Sequence, residues 1–177
     1  MTDLKILLAG FGGQGILFMG KVIASAGLAD GKEVSWLPSY GPEMRGGTAN
    51  CSVCISDEPI GSPLVVAPEI LVVMNQPSLD KFIDKVPAGA KVFIDSTLVS
   101  TEGIREDVEV YALPATALAE QKGLKGLANI VLVGKLFSVV PFCAVEALKE
   151  GIEHSVPASK AHLIEKNMDA IKVGQNA

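Results

Sequence analysis

Residues 4–15, LKILLAGFGGQG, constrain this chain more than any other stretch. A short apolar run ends in the glycine-rich turn Gly10-Phe11-Gly12-Gly13-Gln14-Gly15, and an apolar stretch with helical spacing follows at once. A strand that turns into a helix through such a loop points backbone N–H groups out of the helix N-terminus, which suits a phosphate. Gly10, Gly12 and Gly15 match G-x-G-x-x-G, the opening of a dinucleotide-binding unit. The same spacing also serves a tight turn that holds no ligand, so the rest of the chain has to decide between the two.

Beyond that turn, apolar runs of strand length alternate with helical patterns. Strands are predicted over 4–9, 33–37, 48–56, 69–74, 90–94 and 108–112. Helices are predicted over 16–29, 78–86, 115–122, 128–140, 143–151 and 158–173, with the tail from 174 fraying. Ile16, Met19, Ile23 and Ala26 fall on one face of the first helix. This alternation predicts a three-layer α/β/α domain with a mainly parallel sheet. The alternating run at 48–56 allows an antiparallel or edge strand, hence a mixed sheet. With 177 residues and no linker or repeat, residues 1–177 read as a single domain. Aromatics are only 5 % of a chain that is 49 % hydrophobic, so the core must be built from Val, Ile, Leu and Ala.

Charge and composition exclude several classes of function. A net charge of −5 without a basic stripe argues against nucleic-acid binding. No apolar run reaches the roughly 20 residues of a membrane span. No secretory signal is present, and an odd number of cysteines, three, fits a reducing, cytoplasmic setting. Cys51 and Cys54 form a C-x-x-C, but residues three apart on a strand face opposite ways and would not grip one metal. No metal site is expected, and the role of Cys51, Cys54 and Cys143 stays open. His154 and His162 read as surface residues, and Asp95 as the cap of the turn that follows its strand.

A nicotinamide site would require an acidic residue at the end of the second strand to hold the ribose hydroxyls. That strand ends Trp36-Leu37-Pro38-Ser39, while Asp30 and Glu33 lie before it or at its start. The next segment, Ser39-Tyr40-Gly41-Pro42-Glu43-Met44-Arg45-Gly46-Gly47, carries more special residues than a surface loop needs. Arg45 can fork onto a phosphate or carboxylate, and Gly46 and Gly47 let backbone approach a ligand. The bland reading is a packed turn with an exposed ion pair.

GFGGQG followed by SYGPEMRGG resembles the gamma subunit, or gamma domain, of the 2-oxoacid:ferredoxin oxidoreductases, whose members act on pyruvate, 2-oxoglutarate, branched-chain 2-oxoacids or indolepyruvate. Residues 53–60, VCISDEPI, resemble the strand that follows that loop in the family. Residues 114–119, PATALA, resemble a helix start, and residues 129–134, NIVLVG, a later helix. The resemblance spans roughly residues 4–140.

It implies coenzyme A-dependent oxidative decarboxylation of a 2-oxoacid to an acyl-CoA, with electrons passed to ferredoxin. It also implies thiamine diphosphate and iron–sulfur clusters. This chain has no GDG triplet and no cluster-binding cysteine run, so the resemblance implies that thiamine-binding and ferredoxin-like partner subunits carry those groups. The chain is then inactive alone and has no catalytic residue of its own. Its part is to dock to the thiamine-binding subunits and to help bind coenzyme A through Gly10, Gly12, Gly13, Gln14, Gly15, Arg45, Gly46 and Gly47. Isolated, it could form a homodimer. The substrate leans to 2-oxoglutarate. The alternatives are a stand-alone nucleotide-binding protein or NAD(P)-dependent dehydrogenase, and a purely structural subunit.

Overall fold

The computed structural model describes residues 3–39 and 48–177. Among the described residues six strands form one sheet: β1 (Leu4–Phe11), β2 (Glu33–Ser39), β3 (Thr48–Ser56), β4 (Ile70–Val73), β5 (Lys91–Asp95) and β6 (Glu109–Leu113). Their spatial order is β2-β3-β1-β4-β5-β6. β1, β4, β5 and β6 run parallel to one another, and β3 is antiparallel to both of its neighbours. The sheet is therefore mixed, as the alternation at 48–56 allowed. β3 is not an edge strand, however; it lies between β2 and β1, and β2 forms the edge.

Helix α1 (Ile16–Ala29) follows β1, and α2 (Gln76–Phe82) follows β4 and continues as a 3-10 turn, Ile83–Lys85. The C-terminal part supplies α3 (Ala115–Gln121), α4 (Ala128–Val139), α5 (Val145–Ser155) and α6 (Ile164–Gln175). The period-two pattern of the strands divides the core between two faces. Ile6, Leu8, Ile70, Val72 and Phe93 pack with α1 and with α3 to α6. Leu7, Ala9, Leu71, Val73, Val92 and Ile94 pack with Leu79 and Phe82 of α2. Three layers result, with one side much thicker than the other. β4, ILVV, is buried along its whole length, as a central strand covered on both faces must be.

Two expectations for the C-terminal region need correction. The stretch from 158 starts as a 3-10 turn, Ala158–Leu163, in which Lys160 at φ −118° breaks the helical course before α6 begins. The tail does not fray at 174. Gly174 is buried, and the backbones of α4 and α6 meet there and at Gly134: a β-carbon on Gly134 would run into the carbonyl of Ile171, and one on Gly174 into that of Val131. Lys135 Nζ donates to the Ala177 backbone oxygen at 2.7 Å, tying down the last residue. Small residues on the contact faces, not propensity, hold this end in place.

Candidate functional site at the C-terminal ends of the strands

β1 leads into α1 over one face of the sheet, whereas β4 leads into α2 over the other. The crevice between the ends of β1 and β4 is the point where the winding reverses, and open α/β sheets bind ligands there. The glycine turn sits in that crevice. Gly13 and Gly15 have φ of 95° and 75°, backbone states that an L side chain adopts only at a cost.

Gln14 staples the turn in place. Its Oε1 accepts from the Phe11 N–H at 2.7 Å, and its Nε2 donates to the Met74 carbonyl, just beyond β4, at 2.8 Å. Most of the Gln14 amide is thus spent on shape. Gly15 caps α1 without a side chain, and no acidic residue lies in the first turn of that helix. Its carbonyl accepts from Met19 N–H at 2.9 Å and from Asn129 Nδ2 at 3.0 Å.

Asn129 stands in the first turn of α4, which also lacks a side-chain cap. It is buried, and its Oδ1 has no partner among the described residues. The two uncapped helix starts therefore converge on one cleft of about 240 Å³, lined by Gly13, Gln14, Met74, Leu98, Thr116 and Asn129 among others. Glu120 is on its rim. Asp95, fully buried at the end of β5, holds the neighbouring wall. It accepts from the N–H groups of Thr97 and Thr116, each at 3.2 Å, and from Thr116 Oγ1 at 2.5 Å. The capping role expected of Asp95 holds, and it extends across the gap to α3.

Residues 40–47, Arg45, Gly46 and Gly47 included, lie outside the described residues. Their point of return is described. Thr48 pairs with Phe11 and Ala49 with Gly10, so β3 begins directly beside the glycine turn. The insertion of β3 also moves the end of β2 one strand away from β1. The place where a dinucleotide fold would present its acidic residue is taken by β3.

The cysteines are free and buried. Cys51 faces α1, its Sγ 3.6 Å from the Ile16 carbonyl. Cys54, three residues on, points to the other face, opposite Lys5 and Ser35. Burial pushes the Cys51 thiol up to about 12 and the Cys143 thiol likewise to about 12, the latter helped by the charge of Asp30. No three His, Cys, Asp or Glu side chains converge among the described residues. This donor set does not fit an iron–sulfur cluster. Both histidines are exposed.

Residues 5–177 match the pyruvate ferredoxin/flavodoxin oxidoreductase family. The chain belongs to that family. The 2-oxoglutarate synthase subunit KorC of Methanocaldococcus jannaschii is 42% identical over 173 residues, covering 96% of this chain and 91% of that one. The ketoisovalerate oxidoreductase subunit VorA of Methanothermobacter thermautotrophicus is 39% identical over 173 residues, covering 97% of this chain but 36% of that one. Among solved structures, the 2-oxoglutarate:ferredoxin oxidoreductase of Magnetococcus marinus, with 2-oxoglutarate, coenzyme A and succinyl-CoA bound, superposes with a TM-score of 0.88 at 25% identity. The match covers 99% of this chain and 31% of that polypeptide. This chain therefore spans about a third of the length of some relatives and nearly all of others. The resemblance to the gamma subunits and the α/β fold expected with it are borne out. No helix among the described residues is long and apolar enough to cross a membrane.

Sequence reading identified the glycine turn but gave Asn129 no role of its own. An amide at the start of the otherwise apolar run ANIVLVG was the available signal. Its partner, the Gly15 carbonyl, is 114 residues away in the chain.

Proposed function

We propose that the chain is the gamma-type subunit of a cytoplasmic 2-oxoacid:ferredoxin oxidoreductase, with 2-oxoglutarate as the favoured substrate. It does no chemistry alone. It docks to the thiamine-binding subunits, which with a ferredoxin-like subunit carry thiamine diphosphate and the iron–sulfur clusters, and it contributes part of the coenzyme A site. The observation that carries this reading is the cleft where the uncapped N-termini of α1 and α4 meet at the glycine turn. Coenzyme A, when bound, supplies the thiol that takes up the acyl group.

The residues of this chain bind and orient. The first-turn N–H groups of α1 favour an anionic group through their unsatisfied donors and the helix dipole. Asn129 Oδ1 can accept from an amide or amino N–H, of which coenzyme A has several. Arg45, Gly46 and Gly47 would close the site. At about 240 Å³ the cleft takes one portion of such a ligand, and partner subunits must hold the remainder.

Calorimetry of coenzyme A with the reconstituted complex tests this. Leu98 is 48% exposed at the cleft, so Leu98→Trp narrows the opening without disturbing the core and should weaken binding, as should Arg45→Ala. Unchanged affinity in both variants would remove the cleft from the coenzyme A site. The missing acid at the end of β2, and the displacement of that end by β3, favour this reading over a dehydrogenase.

A further inference from the structure

The cleft at the start of α4 has side chains that accept hydrogen bonds and none left over to donate them. Among the described residues its lining holds no lysine or arginine, and its one charged member is Glu120. Gln14 is spent at both ends, on Phe11 and on Met74. The hydroxyl proton of Thr116 goes to Asp95. Asn129 gives its Nδ2 to the Gly15 carbonyl, and that bond fixes which way the amide faces. Turned over, Oδ1 would meet the carbonyl oxygen and the bond would be lost.

The Asn129 Oδ1 therefore stays on the side away from Gly15. The residue is only 3% exposed, and this oxygen has no partner among the described residues. An acceptor shut away from water and left unpaired carries a standing cost that only a donor removes. The groups left over in the cleft, Asn129 Oδ1 and the Glu120 carboxylate on the rim, are thus both oxygens in need of N–H or O–H. The remaining wall is largely apolar, with Met74, Leu98, Ala119 and Ala128. Such a wall suits the faces of a flat ring, and a methionine sulfur makes a favourable contact with an aromatic edge.

We infer that this cleft holds the adenine ring of coenzyme A, whose exocyclic amino group donates to Asn129 Oδ1. This deepens the coenzyme A reading above and rests on it. An amino group brings two N–H donors and no acceptor, which matches Asn129 and the rim carboxylate. A pantetheine amide brings a carbonyl with each N–H, and the side chains of the cleft have no donor to give it. A phosphate inside the cleft would face the same two acceptors. The phosphates lie instead over the first-turn N–H groups of α1, where no acidic residue stands. Asn129 is then a specificity residue. It rejects a purine with a carbonyl in place of the amino group, because two acceptors would face each other.

Calorimetry of the reconstituted complex tests this by comparing coenzyme A with its deaminated analogue, in which hypoxanthine replaces adenine. The unmodified protein should bind the analogue at least about 10-fold more weakly. Asn129→Ala, its fold checked by circular dichroism, should weaken coenzyme A and bring the two ligands to within about 2-fold of each other. A purely structural Asn129 would lower both affinities and leave their ratio unchanged. Leu98→Trp, at the exposed mouth of the cleft, shuts the ring out and should erase the ratio by an independent route. Equal affinities in the unmodified protein would overturn the base assignment and leave the coenzyme A reading standing. A ratio that survives both substitutions would place the base on a partner subunit and overturn it equally. Coenzyme A affinity that neither Leu98→Trp nor Arg45→Ala alters would sink both readings together.

Discussion

Replacing Gly15 by alanine probes the hinge of the site, where two costs meet at one atom. At φ 75° the residue is left-handed, which costs an L residue about 1–2 kcal/mol. The new β-carbon would also collide with Asn129 Nδ2, which is hydrogen-bonded at 3.0 Å to the Gly15 carbonyl. Driving that amide away removes a bond of about 1 kcal/mol and leaves a buried donor without a partner, at a further cost of about 1 kcal/mol or more. The expected loss is about 3 kcal/mol, or about 6–12 °C in thermal midpoint for a chain of this size. The two costs separate in a double-mutant cycle. Asn129→Ala alone should cost about 1 kcal/mol, since the Gly15 carbonyl keeps its bond from Met19. In that background Gly15→Ala has no amide to displace and should cost only the backbone term of about 1–2 kcal/mol. Urea unfolding of the four proteins followed by circular dichroism gives the coupling. If the single costs add to within about 0.5 kcal/mol, Gly15 and Asn129 are not coupled and the convergence of the two helix starts loses its physical basis.

Gly134→Ala should destabilise by about 2 kcal/mol despite alanine's better helix propensity, because the carbonyl of Ile171 occupies the space; Gly61→Ala, with open space around it, should be neutral, and equal midpoints for the two by thermal unfolding would refute close α4–α6 contact. The Asp57 carboxylate, hydrogen-bonded by Lys32 at 2.5 Å, is held down at about 2. Its folded value lies below its unfolded one, so the contribution of the pair is complete above about pH 4 and fades as the pH drops toward 2; an NMR titration should show that midpoint, and Lys32→Met should raise it. Cys51 and Cys143, buried and with thiols pushed up to about 12, should react with a disulfide reagent at pH 8 only as fast as the chain opens. Immediate labelling of either in the native protein would contradict the packing.

Much of the fold was legible because the signals are local. The buried face of α1, with Ile16, Met19 and Ile23 each at 2% exposure or less, follows from spacing alone, and so does the short apolar run that becomes β4. What was not legible depends on distant partners. Nothing in the tail sequence announces that Gly174 meets Val131 across two helices, and a terminal run ending in Gly-Gln-Asn-Ala reads as frayed until that contact is known. The polar start of α4 was visible, but its meaning lies in the carbonyl of Gly15. Both examples are contacts between backbones or amides, which carry no hydrophobic pattern for a sequence to display.

The position of β3 changes what the glycine turn is for. In a dinucleotide fold the strand after the first helix lies against β1 and presents its acidic end to the ribose. Here that neighbour is β3, antiparallel, so it offers the cleft its first residues instead of its last. Thr48 pairs with Phe11 where β3 begins, and β2 ends one strand further out. The end of β2, where a dinucleotide fold carries its acid, is thereby kept from the turn. Near an uncapped helix N-terminus a carboxylate would compete with an anionic ligand for the donors. The inserted strand therefore takes that competing position away from the turn while leaving the turn itself unchanged, which on the function proposed above suits an anionic group better than a ribose.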